Sequence, residues 1–372
     1  MPGRDGQARA DRRGLPRQLA RGLARAAGEQ RWFVGLAVLY IGLCLALAIA
    51  VDDRVWQHVS LGYYLGLAVL VVLAIVGARW LSAVRRQRGL RPANAELGGW
   101  LISDRVVEAL PAVLVLPLFM SVYSSMLGEI PLLHPYDWDP ALAALDRRLH
   151  GADPWRLLQP LLGHPLLTRL LDGAYAAWFF VWLSLWVAVA GGRDRALRRR
   201  HCISFVLVWA LLGTLLATVL ASGGPVYYGR LTGDPTRFAP LMDYLHRTSA
   251  VFPLWSTTLQ DALWELHRRG IQMGEGGLSA MPSLHVAIAV LCALTGSRLD
   301  RRLGAALWVF AAMIGLATVH LGWHYAVDVY AGALGTVVIW HGVGWAAEGR
   351  RAMAAHRRPL VADGAYRLRQ EG

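Results

Sequence analysis

Apolar residues along this chain fall into long, nearly unbroken runs separated by short arginine-rich stretches. They show neither the alternation of a half-buried strand nor the narrow stripe of a soluble helix. The first run, Trp32–Val51, is close to the roughly 20 residues that cross a bilayer as a helix. Further runs follow at Leu61–Leu81, Val106–Met126, Leu170–Ala190, Ile203–Ala221, Pro282–Ser297, Gly304–Leu321 and His324–Ala346. A lipid environment forces every backbone group to be satisfied internally, so these runs predict an all-α polytopic membrane bundle of about eight helices. The end of the first run, Ala48-Ile49-Ala50, has the look of a signal-peptidase site, but the run is long for a signal peptide and reads as an uncleaved span.

Two intervening segments are too long to be simple connections. In Leu127–Arg169, Leu142, Leu145 and Leu149 recur at helical spacing beside Asp146, Arg147 and Arg148. This predicts an amphipathic helix in the membrane interface, with a second over Pro154–Leu162, together packing the bundle as a lid. In Gly223–Ala280, Gly224-Pro225-Val226-Tyr227-Tyr228 is followed by Arg230 and Arg237 and by a mildly amphipathic stretch, Leu254–His267. A loop of that length inside a compact bundle marks function. The chain therefore divides into a basic extension (1–31, with Leu15–Ala27 able to lie on a membrane surface), two additional spans (32–105), a six-helix core (106–346) and a polar tail (347–372).

Composition agrees. Of 372 residues, 55% are hydrophobic and 17% charged, and the mean hydropathy is +0.38, as in a membrane protein. The net charge of +13 does not point to nucleic acid, because the arginines cluster between apolar runs as cytoplasmic loops require. Arg85, Arg86, Arg88 and Arg91, then Arg193 to Arg200, then Arg298, Arg301 and Arg302 mark inner segments. The loop Asp52–Ser60 carries two aspartates and one arginine. Both termini are expected inside and the chemistry-bearing residues outside. The chain contains no lysine, so any basic phosphate ligand is arginine. Cys44, Cys202 and Cys292 suit neither a metal site nor a predictable disulfide.

The candidate chemistry lies in two stretches. Gly276-Gly277-Leu278-Ser279-Ala280-Met281-Pro282-Ser283-Leu284-His285 leads into an apolar helix, with Pro282 read as its first residue and His285 in its first turn. Free N–H groups there, flanked by Gly277, form a phosphate-binding site. In the second stretch, His324 and Asp328 stand four apart, sharing a helical face on which the carboxylate can hold the imidazole. Ionisable groups in apolar segments are costly and read as functional. Two other classes compete. His320, His324 and Asp328 have zinc-like spacing, but a ceramidase-like hydrolase leaves Pro282-Ser283-Leu284-His285 unexplained, and the glutamate of a His-Glu-x-x-His helix is missing. A transporter or haem-binding bundle would use buried histidines as relays or axial ligands, yet no internal repeat supports it. His320 alone reads as a packing residue.

Pro282-Ser283-Leu284-His285, Gly322-Trp323-His324-Tyr325-Ala326-Val327-Asp328 with Ala331-Gly332, and more loosely Gly224-Pro225-Val226-Tyr227-Tyr228 resemble the type-2 phosphatidic acid phosphatase superfamily. The resemblance is closest to its inositol phosphorylceramide synthase (aureobasidin-resistance) branch and bacterial relatives. It implies an enzyme of a bacterial inner membrane acting on a phospholipid or other lipid phosphate, without metal or cofactor. His324 would attack phosphorus, Asp328 would orient it, and His285 would protonate the leaving alcohol. Ser283, Gly277, Tyr228, Arg230 and Arg237 would bind substrate or phosphate. The superfamily's phosphatases carry a lysine and arginine in a first motif and an arginine shortly before the nucleophile. Here the position six before His324 is Thr318. This favours a transferase that passes a phospho-headgroup to a lipid alcohol.

Overall fold

The computed structural model describes residues 4–50, 61–87, 90–101, 103–269 and 278–367. Within them the chain forms fourteen helices and no strand. Four come first: α1 (Arg4–Ala50), α2 (Leu61–Gln87), α3 (Leu90–Leu101) and α4 (Asp104–Leu133). Short α5 (Asp139–His150) and α6 (Pro154–Leu162) precede the long α7 (Pro165–Ala190) and α8 (Arg195–Val219). Three more short helices follow, α9 (Tyr228–Thr232), α10 (Ala239–Val251) and α11 (Trp255–Arg268). The chain ends with α12 (Leu284–Leu299), α13 (Arg301–His320) and α14 (Ala326–Arg367).

Seven helical stretches among the described residues are long and apolar enough to cross a membrane: Gly22–Leu47, Gly62–Gln87, α4, α7, α8, α13 and Ala326–Gly349. The expected eighth, α12, has 16 residues, roughly 24 Å at 1.5 Å per residue. It is apolar all round, and every residue from Val286 to Ala293 is buried. A helix with no polar face belongs in the middle of a bundle, and α12 packs against α7, α8, α13 and α14.

Several boundaries differ from the sequence reading. The extension and the first span are one continuous helix, and Phe33, Ala37 and Tyr40 of α1 join the main core. The arginine-rich segment after α2 contains α3, and α14 runs on to Arg367 in place of a plain polar tail. Alanine and arginine are both strong helix formers, so these polar stretches continue a helix without an apolar pattern.

The short helices gather over one end of the bundle around a second core that includes Leu142, Trp155, Tyr175, Leu241, Leu245 and Tyr325. Here the row of leucines in α5 is split between inside and outside. Leu145 and Leu149 are exposed, whereas Asp139, Leu142, Ala143 and Asp146 are buried. The reason lies in what the two aspartates hold.

Candidate active site

α12 begins at Leu284, two residues later than a reading with Pro282 as its first residue requires. Ser283, fully buried, is the cap, and its Oγ accepts from the Val286 N–H at 3.5 Å. Pro282 lies before the helix. The neighbouring N–H groups are mostly engaged: Ala280 donates to the Ser222 carbonyl, Met281 to Ser222 Oγ, and Ser283 to the Asp328 carbonyl. The first two helical N–H groups, of Leu284 and His285, have no acceptor among the described residues. Gly277 lies outside the described residues.

The second stretch is held differently from a helix. α13 ends at His320, the chain turns through Gly322, and α14 starts at Ala326, so His324 stands in the turn and not on the helix that carries Asp328. The carbonyl of Thr318 accepts from both Trp323 and His324 N–H groups, fixing the turn. Asp328 is in the first turn of α14, where its Oδ2 accepts the Tyr325 N–H at 2.9 Å, one half of a capping box. The expected pair still meets: His324 Nδ1 is 3.5 Å from Asp328 Oδ2. Asp328 Oδ1 is buried without a hydrogen-bond partner among the described residues.

A nearer partner sets the state of His324. Its Nδ1 is 2.7 Å from the Ala280 carbonyl. A carbonyl only accepts, so the hydrogen is on Nδ1, and in the neutral ring the lone pair is on Nε2. His285 is clamped between Tyr175, stacked at 4.3 Å, and Trp178, also at 4.3 Å. Its Nδ1 is 3.1 Å from the Tyr175 hydroxyl, and its carbonyl accepts from Trp178 Nε1 at 2.8 Å. The two imidazole centres are 6.4 Å apart.

Backbone approach at this site is close enough to require glycine. Gly332 in α14 lies against the Ser283 carbonyl, where a Cβ would come within 2.4 Å. Gly224 has φ 85, and a Cβ there would sit 2.3 Å from the Trp323 carbonyl. Both pack the loops that carry the two histidines.

Buried aspartates hold these loops from outside. Asp139 accepts from the Gly223 and Gly224 N–H groups, each at 2.8 Å, and from the Tyr325 hydroxyl at 2.7 Å. Asp146, about two turns further along the same face of α5, accepts from the Ala326 and Val327 N–H groups at the start of α14. Asp172 of α7 does the same for Trp255 and Ser256 at the start of α11. Burial pushes the Asp139 and Asp146 carboxyls above the usual aspartate range, and the backbone N–H bonds pull them only part of the way back. These residues, with Tyr175 and Trp178, were not singled out from sequence.

The remaining candidates are placed as follows. Arg237 bonds to Asp153 at 2.7 Å and to the Ala143 carbonyl at 2.6 Å, over the rings of Tyr228 and Phe238. Arg230 is exposed, 3.7 Å from Asp261 and over the Trp264 ring. Tyr227 and Tyr228 are buried: Tyr227 donates to the Gln260 carbonyl, and Tyr228 packs edge-on against Phe238. His320 does not share a helical face with His324, because α13 stops between them. Its Nε2 lies 2.9 Å from Thr168 Oγ1, and its ring packs on Tyr244. Among the described residues no three histidine, cysteine, aspartate or glutamate side chains converge as an ion would need.

The arrangement places two histidines, a capping serine, two unengaged helix N–H groups and a buried carboxylate at one end of a membrane bundle. A family model described as the PAP2 superfamily matches residues 140–341, more than half of the chain. The chain belongs to the PAP2 superfamily. No curated protein and no solved structure matches it. The PAP2 match starts in α5 and ends in α14, so it takes in both histidine stretches, Asp146 and Asp172, begins one residue after Asp139, and leaves out α1 to α4. PAP2 membership supports a phosphatase-type phosphoesterase of the membrane, with a lipid phosphate as its substrate class.

Proposed function

We propose that the protein cleaves a lipid phosphate ester through a phosphohistidine on His324. The observation that carries this reading is the hydrogen bond from His324 Nδ1 to the Ala280 carbonyl, which leaves Nε2 with its lone pair. In the first step Nε2 attacks phosphorus, the bond to the leaving alcohol oxygen breaks, and His285 gives that oxygen a proton. In the second, His285 takes a proton from water or an acceptor alcohol, whose oxygen attacks the phosphoryl group and releases His324. Asp328, 3.5 Å away, offsets the positive charge on the ring as the N–P bond forms. The Leu284 and His285 N–H groups and Ser283 meet the phosphoryl oxygens at the helix start.

Arg230 is the better candidate than Arg237 for neutralising phosphate, because its pair with Asp261 is long and exposed, whereas Arg237 is fixed by two short bonds. Tyr228 then serves by supporting Arg237. Thr318, where the superfamily's phosphatases carry arginine, supports transfer of a phospho-headgroup to a lipid alcohol, as in the inositol phosphorylceramide synthase branch. The test is purified protein in detergent with a panel of phospholipids, with and without ceramide or diacylglycerol. Turnover should survive EDTA and be inhibited by vanadate, which mimics pentacoordinate phosphorus. Loss of turnover on chelation, with recovery on adding zinc, would instead establish a metal-dependent hydrolase.

A further inference from the structure

At the end of the bundle opposite the histidines, α1, α8 and α14 part around a cavity of about 860 Å³. α14 reaches it at Gly342, roughly 24 Å along the helix from Ala326. Its wall is divided in character. Leu36, Ile203, Leu207 and Val343 form an apolar side, and Arg31, Arg199, Arg200 and Arg298 bring positive charge.

Among the described residues that charge is not balanced. The four guanidiniums face two carboxylates, Asp194 and Glu348, and Asp194 already caps α8 by accepting the Leu197 N–H. Glu29 of α1 and Glu108 of α4 are taken by Arg195 and Arg198. Arg200 is fixed over the Trp340 ring at 4.2 Å, with its Nε donating to the Trp340 carbonyl at 3.0 Å. None of the four lining arginines forms an ion pair among the described residues. Guanidiniums crowded beside aliphatic side chains attract an anion that has an apolar part.

We propose that this cavity binds an anionic phospholipid, with its phosphate among Arg31, Arg199 and Arg298 and an acyl chain along Leu36, Leu207 and Val343. The apolar side favours a lipid over free phosphate, and the excess of arginine favours an anionic over a zwitterionic headgroup. The arginine distribution assigns this end to the cytoplasm, so the lipid comes from the cytoplasmic leaflet. It is separate from any substrate at the histidines.

Native mass spectrometry of the full-length protein in detergent tests this, with phosphatidylglycerol, phosphatidylcholine or inorganic phosphate added. Phosphatidylglycerol should be retained in preference to phosphatidylcholine. Arg199→Gln with Arg298→Gln should weaken retention about tenfold or more, at the strength expected of basic residues near a lipid phosphate. Arg298 is exposed, so Arg298→Gln alone keeps the fold and should show part of the loss. Val343→Trp, which fills the apolar side and leaves every charge, should also weaken retention. Arg301→Gln with Arg302→Gln, which removes equal charge outside the cavity, should not. Equal binding of phosphatidylcholine, displacement by inorganic phosphate, or an equal loss in the Arg301/Arg302 variant overturns the proposal. The readout is binding, so the result is independent of the phosphoesterase reading.

Discussion

His324 keeps Nε2 free because the Ala280 carbonyl takes the hydrogen on its other nitrogen. The four-residue spacing to Asp328 was legible in the sequence, and the two side chains do meet. The backbone that brings them together was not legible. Asp328 is the third residue of α14 and caps it through Tyr325, and a tyrosine at the cap position is no recognisable start signal. The clamp on His285 was also hidden, because Tyr175 and Trp178 lie in another apolar run where aromatic residues carry no positional signal. His285→Ala should therefore slow turnover of a natural lipid by about 10²–10⁴-fold, the usual range for a general acid. A p-nitrophenyl ester, whose leaving group needs no proton, should recover much of that loss in parallel steady-state assays. An equal deficit on both substrates would remove His285 from the proton-transfer role.

At the scale of elements, the site is a set of loops and helix starts pinned by carboxylates. Asp139 and Asp146 are seven residues apart and so share one face of α5, with each receiving two successive backbone N–H groups. Leu142 is buried on that same face, whereas Leu145 and Leu149 are exposed beside it, so the leucine spacing predicts an amphipathic helix and gives no sign of the carboxylate anchors. Buried carboxylate acceptors cannot be told from solvated ones by pattern alone. Asp146→Asn keeps one acceptor oxygen and turns an NH₂ group toward an N–H donor. It should destabilise the protein by about 1–3 kcal/mol, as for a broken hydrogen bond to a charged group. The pH dependence has a definite sign. Because burial raises the Asp146 carboxyl, its protonation favours the folded state, and asparagine does not titrate. The advantage of the wild type should widen as pH falls through the raised value toward the ordinary aspartate value, and narrow as pH rises. Thermal unfolding in detergent across that range checks both.

At the scale of the whole molecule, the apolar runs anticipated the bundle well. All eight predicted spans coincide with helices, seven of them long enough to cross a membrane. The continuity of α1, the presence of α3 and the length of α14 were not legible, because helix propensity without an apolar stripe leaves no periodic trace. The histidines and the pinned loops lie at one end, and the arginines around the cavity between α1, α8 and α14 lie at the other. The PAP2 match covers the part that carries the histidines, so that end is where chemistry is expected.

In the proposed mechanism His324 becomes phosphorylated. Wild-type protein mixed with a radiolabelled lipid phosphate and stopped in alkaline detergent should carry label that is stable to base and released by acid, as a phosphoramidate is. His324→Ala should carry none, while His285→Ala should still be labelled from an activated ester. Label of the same stability on His324→Ala, at the wild-type level, would contradict the account.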